Sequence, residues 1–134
     1  MPTKTAPWDD VHVRRAVAHA IDRDDIIAAK QGAAGGPLTT IISPLLLQQL
    51  GTEDEVQKAL DSLPSYPHDL DKAKAEMAKS KVPEGFDYEF LATASTAPVA
   101  QVIAAQLEKI GIDLTVNSVA DAAYTTKLIG PPAE

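Results

Sequence analysis

Few side chains in this 134-residue chain have the types and spacing that catalysis or metal binding needs. His12 and His19 are seven residues apart, which in a helix separates them by about 10 Å, too far for one metal ion. Asp24 and Asp25 are adjacent carboxylates that could serve as general acid and base. They fall in the first turn of a predicted helix, however, where the helix dipole alone favours acids. Structural roles therefore explain these four residues better than catalysis or metal binding.

The glycine-rich segment 32–36 does not have the context of a phosphate-binding loop. It follows a predicted helix instead of a strand, and no Gly-Lys-Ser/Thr sequence comes after it. The chain contains no cysteine, which excludes thiolate nucleophiles, disulfides and cysteine zinc sites. No serine stands in a Gly-x-Ser-x-Gly setting. We therefore predict that the protein is not an enzyme and that it uses no metal and no cofactor.

The amino-acid composition excludes some classes of protein and of binding partner. The hydrophobic fraction of 45% is typical of a globular domain and excludes disorder of the whole chain. Nineteen acidic residues against twelve basic ones give a net charge of −7, which argues against binding to nucleic acid or to anionic lipid. Residues 1–4 lack the apolar region of a signal peptide. We expect either a cytoplasmic protein or a segment of a longer exported chain.

Hydrophobic periodicity predicts a helix-rich, mixed α/β domain over residues 9–129, with a lead-in at 1–8 and a tail at 130–134. Several polar residues in the first half are suited to cap helices: Asp9 or Asp10, Asp22, Thr52 with Glu55, and Asp69. The helix after Thr52 carries an apolar stripe formed by Val56, Ala59, Leu60 and Leu63. Gly32 is the predicted end of the second helix, and segment 38–43 is predicted to be extended.

The second half predicts one β-α-β unit. Phe86, Tyr88 and Phe90 alternate with acidic residues, which indicates a half-buried strand. A helix of 3.6-residue period follows, Gly111 ends it, and a second alternating strand begins. Short turns join these elements, so the strands should be parallel. Asp121 is predicted to cap a last helix. Two strands are too few for a stable sheet, so we expect others from segment 38–43, a partner chain or further polypeptide.

Four segments together resemble a known family. They read PWDDVHVRRAVAHAIDR at 7–23, PHDLDKA at 67–73, PEGF at 83–86 and QLEKIGIDL at 106–114. Their order is similar to that in family 5 solute-binding proteins of ABC transporters, which include oligopeptide-, dipeptide- and nickel-binding proteins. Trp8 replaces the usual Phe, Ser80-Lys81-Val82 replaces the usual Gly after the second segment, and the loop from Ser43 to Ser65 is longer than usual.

The resemblance implies a fold and a function. The chain would be a piece of the C-terminal lobe of a two-lobed periplasmic binding protein. The whole protein would capture a small solute, with a short peptide as the first candidate, at the periplasmic or extracellular face of the membrane. It would deliver that solute to an ABC permease by lobe closure, without covalent chemistry. On this reading the loop with Gly36, Thr39 and Thr40 faces the cleft and binds the ligand.

Two other functions remain open at this stage. One is a free-standing acidic α/β interaction module of the cytoplasm with no transport role. The other, an enzyme domain that uses Asp24 and Asp25, has no motif in its favour. An exposed sheet edge and apolar surface also predict self-association, as a homo-oligomer or a domain-swapped dimer.

Overall fold

Helices dominate the structure, a computed structural model that describes residues 4–30, 44–49 and 51–129. These residues form α1 (Val11–Ala20), α2 (Arg23–Ala29), α3 (Pro44–Leu47), α4 (Glu53–Asp61), α5 (Leu70–Ala78), β1 (Phe86–Ala92), α6 (Ala97–Glu108), β2 (Ile112–Ser118) and α7 (Asp121–Ile129). None of these helices is long and apolar enough to span a bilayer. Gly32 and segment 38–43, the predicted helix end and extended piece, lie outside the described residues.

Side-chain caps begin the helices where the sequence predicts. Asp10, Asp22 and Asp69 each accept a hydrogen bond from a backbone N–H in the first turn of the helix that follows. Thr52 and Glu55 form a complete capping box at α4. Each such cap satisfies N–H groups that the helix itself leaves unpaired, and each typically stabilises a helix by about 1 kcal/mol.

The prediction for Asp121 was wrong in detail. It is the first residue of α7, not the residue before the helix. A carboxylate in the first turn still interacts favourably with the positive end of the helix dipole. An acid at this place in a sequence therefore does not distinguish a cap from a first-turn residue.

The two strands are parallel, as predicted, and pair in register from Phe86 with Ile112 to Ala92 with Ser118. Helix α6 connects them and packs mainly on β2. One face of the sheet joins the core through Phe86, Tyr88, Ile112 and Leu114. The other face exposes Asp87, Glu89, Asp113 and Thr115. Alternation of side chains along each strand therefore produces one apolar and one polar face.

Trp8 belongs to the core, although the sequence analysis placed it in a lead-in. It is only 3% exposed. Its ring packs edge-to-face against Phe86, with ring centroids 5.4 Å apart, and against Tyr88 at 5.1 Å. Arg14 Nη1 donates to the Trp8 carbonyl at 2.7 Å, which holds the segment before α1 in place. The packing of the N-terminal segment thus begins before residue 9.

Helices α1 and α5 pack closely through small side chains. Ala16, Ala20 and Ala73 are completely buried between them, and Met77 is nearly so. Asp10 fixes the start of α1 on the segment after α5, because its Oδ2 accepts a hydrogen bond from the Lys81 N–H at 2.8 Å. That bond is the main cause of the lowered pKa of Asp10.

The apolar stripe of α4 is not part of this core. None of the α4 residues is buried by the described part of the chain, and Leu63, just after the helix, is 45% exposed. The periodicity correctly indicated an amphipathic helix, but it did not indicate what the apolar side contacts.

Gly85 should be intolerant of any side chain. Its φ is +96°, and a Cβ there would lie 1.8 Å from the carbonyl oxygen of Gly111. We expect Gly85→Ala to lower the free energy of unfolding by about 2–4 kcal/mol, because strain and a backbone clash combine. Gly51→Ala is the matched control and should cost less than about 1 kcal/mol, since among the described residues the new Cβ would meet only the flexible side chain of Glu55. Urea denaturation measures both, and equal losses would contradict this explanation.

Trp8→Ala should destabilise the protein by about 3–5 kcal/mol, because it leaves a large cavity beside Phe86 and Tyr88. Trp8→Phe should cost much less. The indole Nε1 is buried without a hydrogen-bond partner among the described residues, so its loss breaks no described hydrogen bond. Thermal unfolding followed by circular dichroism checks both variants. A Trp8→Ala protein as stable as the wild type would restore the lead-in interpretation.

Candidate functional site

The residues predicted to bind ligand are not placed by the structure. Gly36, Thr39 and Thr40 lie outside the described residues, so their position relative to any cleft stays a prediction. Among the candidates that are described, Asp24 and Asp25 lie in the first turn of α2, as expected. Asp25 Oδ2 also accepts a hydrogen bond from Gln106 Nε2 at 3.3 Å, which gives that carboxylate a structural role.

The two histidines of α1 join helices and loops. Because a carboxylate can only accept, His12 Nδ1 donates to Glu76 Oε2 at 2.8 Å and links α1 to α5. His19 Nδ1 donates to the Pro67 carbonyl at 2.9 Å and holds the segment before α5. In residues 4–30, 44–49 and 51–129, no cluster of three or more His, Asp or Glu side chains could hold a metal ion.

Among the described residues, the carboxyl group of Glu76 has the pKa that departs most from its ordinary value. Hydrogen bonds from Lys79, first, and from His12 lower the pKa of this carboxyl from 4.5 to about 2. Each carboxylate oxygen accepts one of these hydrogen bonds: Oε1 from Lys79 Nζ at 2.7 Å, and Oε2 from His12 Nδ1. Such a carboxylate remains charged at any neutral pH and acts as a fixed anchor between helices, not as a proton donor or acceptor.

The carboxyl edge of the sheet is the best candidate for a binding site. Parallel strands end at one edge, and ligands of open α/β sheets bind outside that edge. Here β1 ends at Ala92 and β2 at Ser118, and the chain then enters α6 and α7. The Val119 N–H donates to the Ala92 carbonyl at 2.9 Å, so the two strand ends remain joined as they leave the sheet.

Three hydroxyl groups cluster in the turn between β1 and α6. Thr93 Oγ1 lies 2.9 Å from Ser95 Oγ and 3.1 Å from Thr96 Oγ1. Thr96 accepts a hydrogen bond from the Thr93 N–H at 2.9 Å, so its hydroxyl does not cap α6 although it stands at the N-cap. Thr93 is buried, whereas Ser95 and Thr96 are exposed. The turn is therefore internally braced, and its two outer hydroxyl-bearing residues, Ser95 and Thr96, are exposed.

Apolar side chains lie next to these hydroxyls along the strands. Phe90 is 39% exposed and pairs in register with half-buried Val116, two residues before the strands end. Phe90 therefore leaves apolar surface uncovered near this edge, although Ala92 and Thr93 at the edge itself are buried. Hydroxyls beside apolar surface can bind and orient a small amphipathic solute, which is the usual composition of small-molecule sites.

Sequence reasoning missed two features, one at this edge of the sheet and one near the opposite end of α6. The Thr93–Thr96 turn carried a usable signal, since Thr-Ala-Ser-Thr directly follows a predicted strand. Gln106 stands in the motif QLEKIGIDL, but that motif did not indicate its contacts with distant residues. It is 3% exposed, its Oε1 accepts from the Asp22 N–H at 3.0 Å, and its Nε2 donates to the Asp22 carbonyl at 3.4 Å. The amide therefore fixes the start of α2 on α6, across 84 residues of sequence.

Acid should weaken the contact between α1 and α5. Folding lowers the Glu76 pKa, so the ionised carboxylate stabilises the folded state above pH 4.5, and this contribution is lost as the pH falls from 4.5 to about 2. Glu76→Gln should therefore be less stable than the wild type near neutral pH. It should also lose less stability on acidification to about pH 2.5. Urea denaturation at both pH values measures this, and identical acid dependence in the two proteins would contradict it.

Comparisons with known proteins agree with the resemblance found in the sequence. The model of the family "bacterial extracellular solute-binding proteins, family 5 Middle" matches residues 1–129. Heme-binding protein A of Haemophilus influenzae is 33% identical over 117 residues, which cover 82% of this chain and 20% of that protein. The dipeptide-binding protein of Escherichia coli is 31% identical over 113 residues, covering 79% of this chain and 19% of that protein.

A solved structure shows that the likeness extends to three dimensions. The clavulanic acid biosynthesis oligopeptide binding protein 2 superposes with a TM-score of 0.70 at 31% identity, over 92% of this chain and 22% of that one. The chain thus spans about a fifth of the length of the relatives that it matches. Because the family match covers nearly all of its residues, the protein belongs to the family 5 bacterial extracellular solute-binding proteins.

Proposed function

We propose that this chain is part of the C-terminal lobe of a solute-binding protein that captures a small solute outside the cytoplasm and delivers it to an ABC permease. The family match over residues 1–129 carries this proposal. It does not favour the alternative of a free-standing cytoplasmic interaction module. The same membership supports a location in the periplasm or at the extracellular face of the membrane, and a mechanism of binding without enzyme chemistry.

A short peptide is the proposed solute. One matched protein is named for dipeptides and another for oligopeptides, whereas a third is named for heme. The carboxyl edge of the sheet supports the peptide assignment on chemical grounds. Ser95 and Thr96 are exposed residues whose hydroxyls can exchange their bonds within the turn for bonds to peptide amides, and Phe90 with Val116 offers apolar contact to side chains.

Two loops would contribute to the proposed site. The Thr93–Thr96 turn would supply hydroxyls from the sheet edge, and the loop with Gly36, Thr39 and Thr40 would approach from the end of α2. A cleft that closes between two lobes buries most of its ligand, so the present chain by itself should bind a peptide weakly. Self-association through the open sheet edge also remains part of the proposal.

A thermal-shift screen of the longer protein tests the proposed function. Dipeptides and tripeptides should raise its melting temperature, whereas free amino acids and hemin should not, because binding to the folded state stabilises it. A shift with hemin alone would overturn the peptide assignment and leave solute binding intact. No shift with any of these solutes would contradict both.

Ser95→Ala should weaken peptide binding about fivefold, the effect of one lost hydrogen bond of average strength. Ser65→Ala is the matched control, because Ser65 is also an exposed serine but lies between α4 and α5. Isothermal titration calorimetry with the best peptide of the screen measures both. Equal affinities for the two variants would remove the Thr93–Thr96 turn from the site.

A further inference from the structure

The hydroxyl groups of the Thr93–Thr96 turn form a hydrogen-bonded series whose direction follows from the groups around it. Each hydroxyl has one hydrogen to donate and an oxygen that accepts. Thr93 Oγ1 is the middle member, 3.1 Å from Thr96 Oγ1 and 2.9 Å from Ser95 Oγ. Either atom of each pair could be the donor, so the bonds that the neighbouring backbone makes decide where each hydrogen goes.

The backbone of Thr93 determines the first bond of the series. Its carbonyl oxygen accepts from the N–H of Ala97 at 2.8 Å and from the N–H of Thr96 at 3.1 Å, and these two donors occupy both lone pairs. The Thr96 hydroxyl lies 3.4 Å from that carbonyl but only 3.1 Å from Thr93 Oγ1. Because Thr96 Oγ1 accepts from the Thr93 N–H at 2.9 Å, its own hydrogen is available and is donated to Thr93 Oγ1.

The second bond follows from the first. Since Thr93 Oγ1 accepts from Thr96, it donates its own hydrogen to Ser95 Oγ at 2.9 Å. Ser95 is therefore an acceptor within the turn, and among residues 4–30, 44–49 and 51–129 its hydroxyl has no second partner. Hydrogen bonds that run in one direction strengthen one another. The series thus leaves Ser95 with a hydrogen to donate.

The charge at this edge of the sheet indicates which kind of acceptor suits that hydrogen. Residues 91–97 read LATASTA and residues 117–122 read NSVADA, so Asp121 is the one charged residue in these two stretches. A peptide offers neutral carbonyl oxygens and a negative terminal carboxylate. A carboxylate would meet no positive charge from these stretches and the negative charge of Asp121, which disfavours it. A neutral carbonyl oxygen therefore suits this position better.

We propose that Ser95 donates a hydrogen bond to a backbone carbonyl oxygen of the bound peptide, and that buried Thr93 is the positioning residue that holds the Ser95 hydroxyl as a donor. This inference rests on the proposed peptide-binding function, to which it adds the atom of the solute that Ser95 meets. Thr96 does not share this role, because its hydrogen is used within the turn.

Two analogues of the best-binding peptide test the direction of the Ser95 bond in the longer protein. At each amide in turn, a thioamide replaces the carbonyl oxygen by sulfur, a weak acceptor, and an ester removes the N–H but keeps the carbonyl. Ser95→Ala should weaken binding of the ester about fivefold, as for the unmodified peptide, but binding of one thioamide by less than about twofold. Isothermal titration calorimetry measures these affinities. A loss that disappears with an ester, or that persists with every analogue, would overturn the proposal.

Variants of Thr93 test its positioning role. Thr93→Val keeps the shape of the side chain without its hydroxyl and should weaken peptide binding about threefold, because Ser95 is no longer held as a donor. Thr93→Ser keeps the hydroxyl and should bind within about twofold of the wild type. In a Ser95→Ala background, Thr93→Val should cause no further loss, since it acts through Ser95. An equal loss in both backgrounds would make the role of Thr93 merely structural and overturn the proposal.

The same variants separate this inference from the proposed function. Circular dichroism establishes that they are folded. If Ser95→Ala weakens binding but the analogues show the opposite pattern, peptide binding at the turn stands and the proposed direction of the bond is overturned. Ser95→Ala should also leave the melting temperature of the peptide-free protein unchanged and reduce the increase that peptide causes. An equal decrease with and without peptide would show that the acceptor belongs to the protein itself, which would overturn the proposal.

Discussion

The packing of Trp8 across Phe86 and Tyr88 is the contact on which the rest of the arrangement depends. A sheet of two strands is not stable in water without a covering layer, and the two strands described here have one apolar face to cover. Trp8 covers part of it from the N-terminal side, and α6 packs on β2. Because Trp8 is two residues before Asp10, this contact also positions the segment that leads into the cap of α1.

Local chemistry explains what the sequence predicts well. Caps at Asp10, Asp22, Thr52 and Asp69 and the alternation along the strands depend on neighbours within a few residues. The structure confirms the caps and most of the alternation, but Phe90, predicted to be half-buried, is 39% exposed. The failures are contacts between distant residues. No local pattern shows that Trp8 is buried. None shows that the Gln106 amide on α6 forms hydrogen bonds with the backbone of Asp22. The Thr93–Thr96 turn is an intermediate case. Its hydroxyl-rich composition can be seen in the sequence, but the hydrogen bonds within the turn cannot.

The motifs that carry the family resemblance have structural roles in this chain. Asp10 begins α1, Asp22 begins α2, Gln106 joins α2 to α6, and Gly111 adopts a positive φ between α6 and β2. None of them needs a ligand for this. A shared pattern of this kind maintains a scaffold, so it is compatible with relatives named for different solutes, heme and dipeptides.

The buried amide of Gln106 has a mechanical consequence. It meets both the N–H and the carbonyl of Asp22, so drawing α2 away from α6 would break two backbone contacts at once and leave a polar group unpaired in an apolar interior. That cost opposes any sliding between the two helices. Relative movement of α2 and α6 is therefore opposed at this junction.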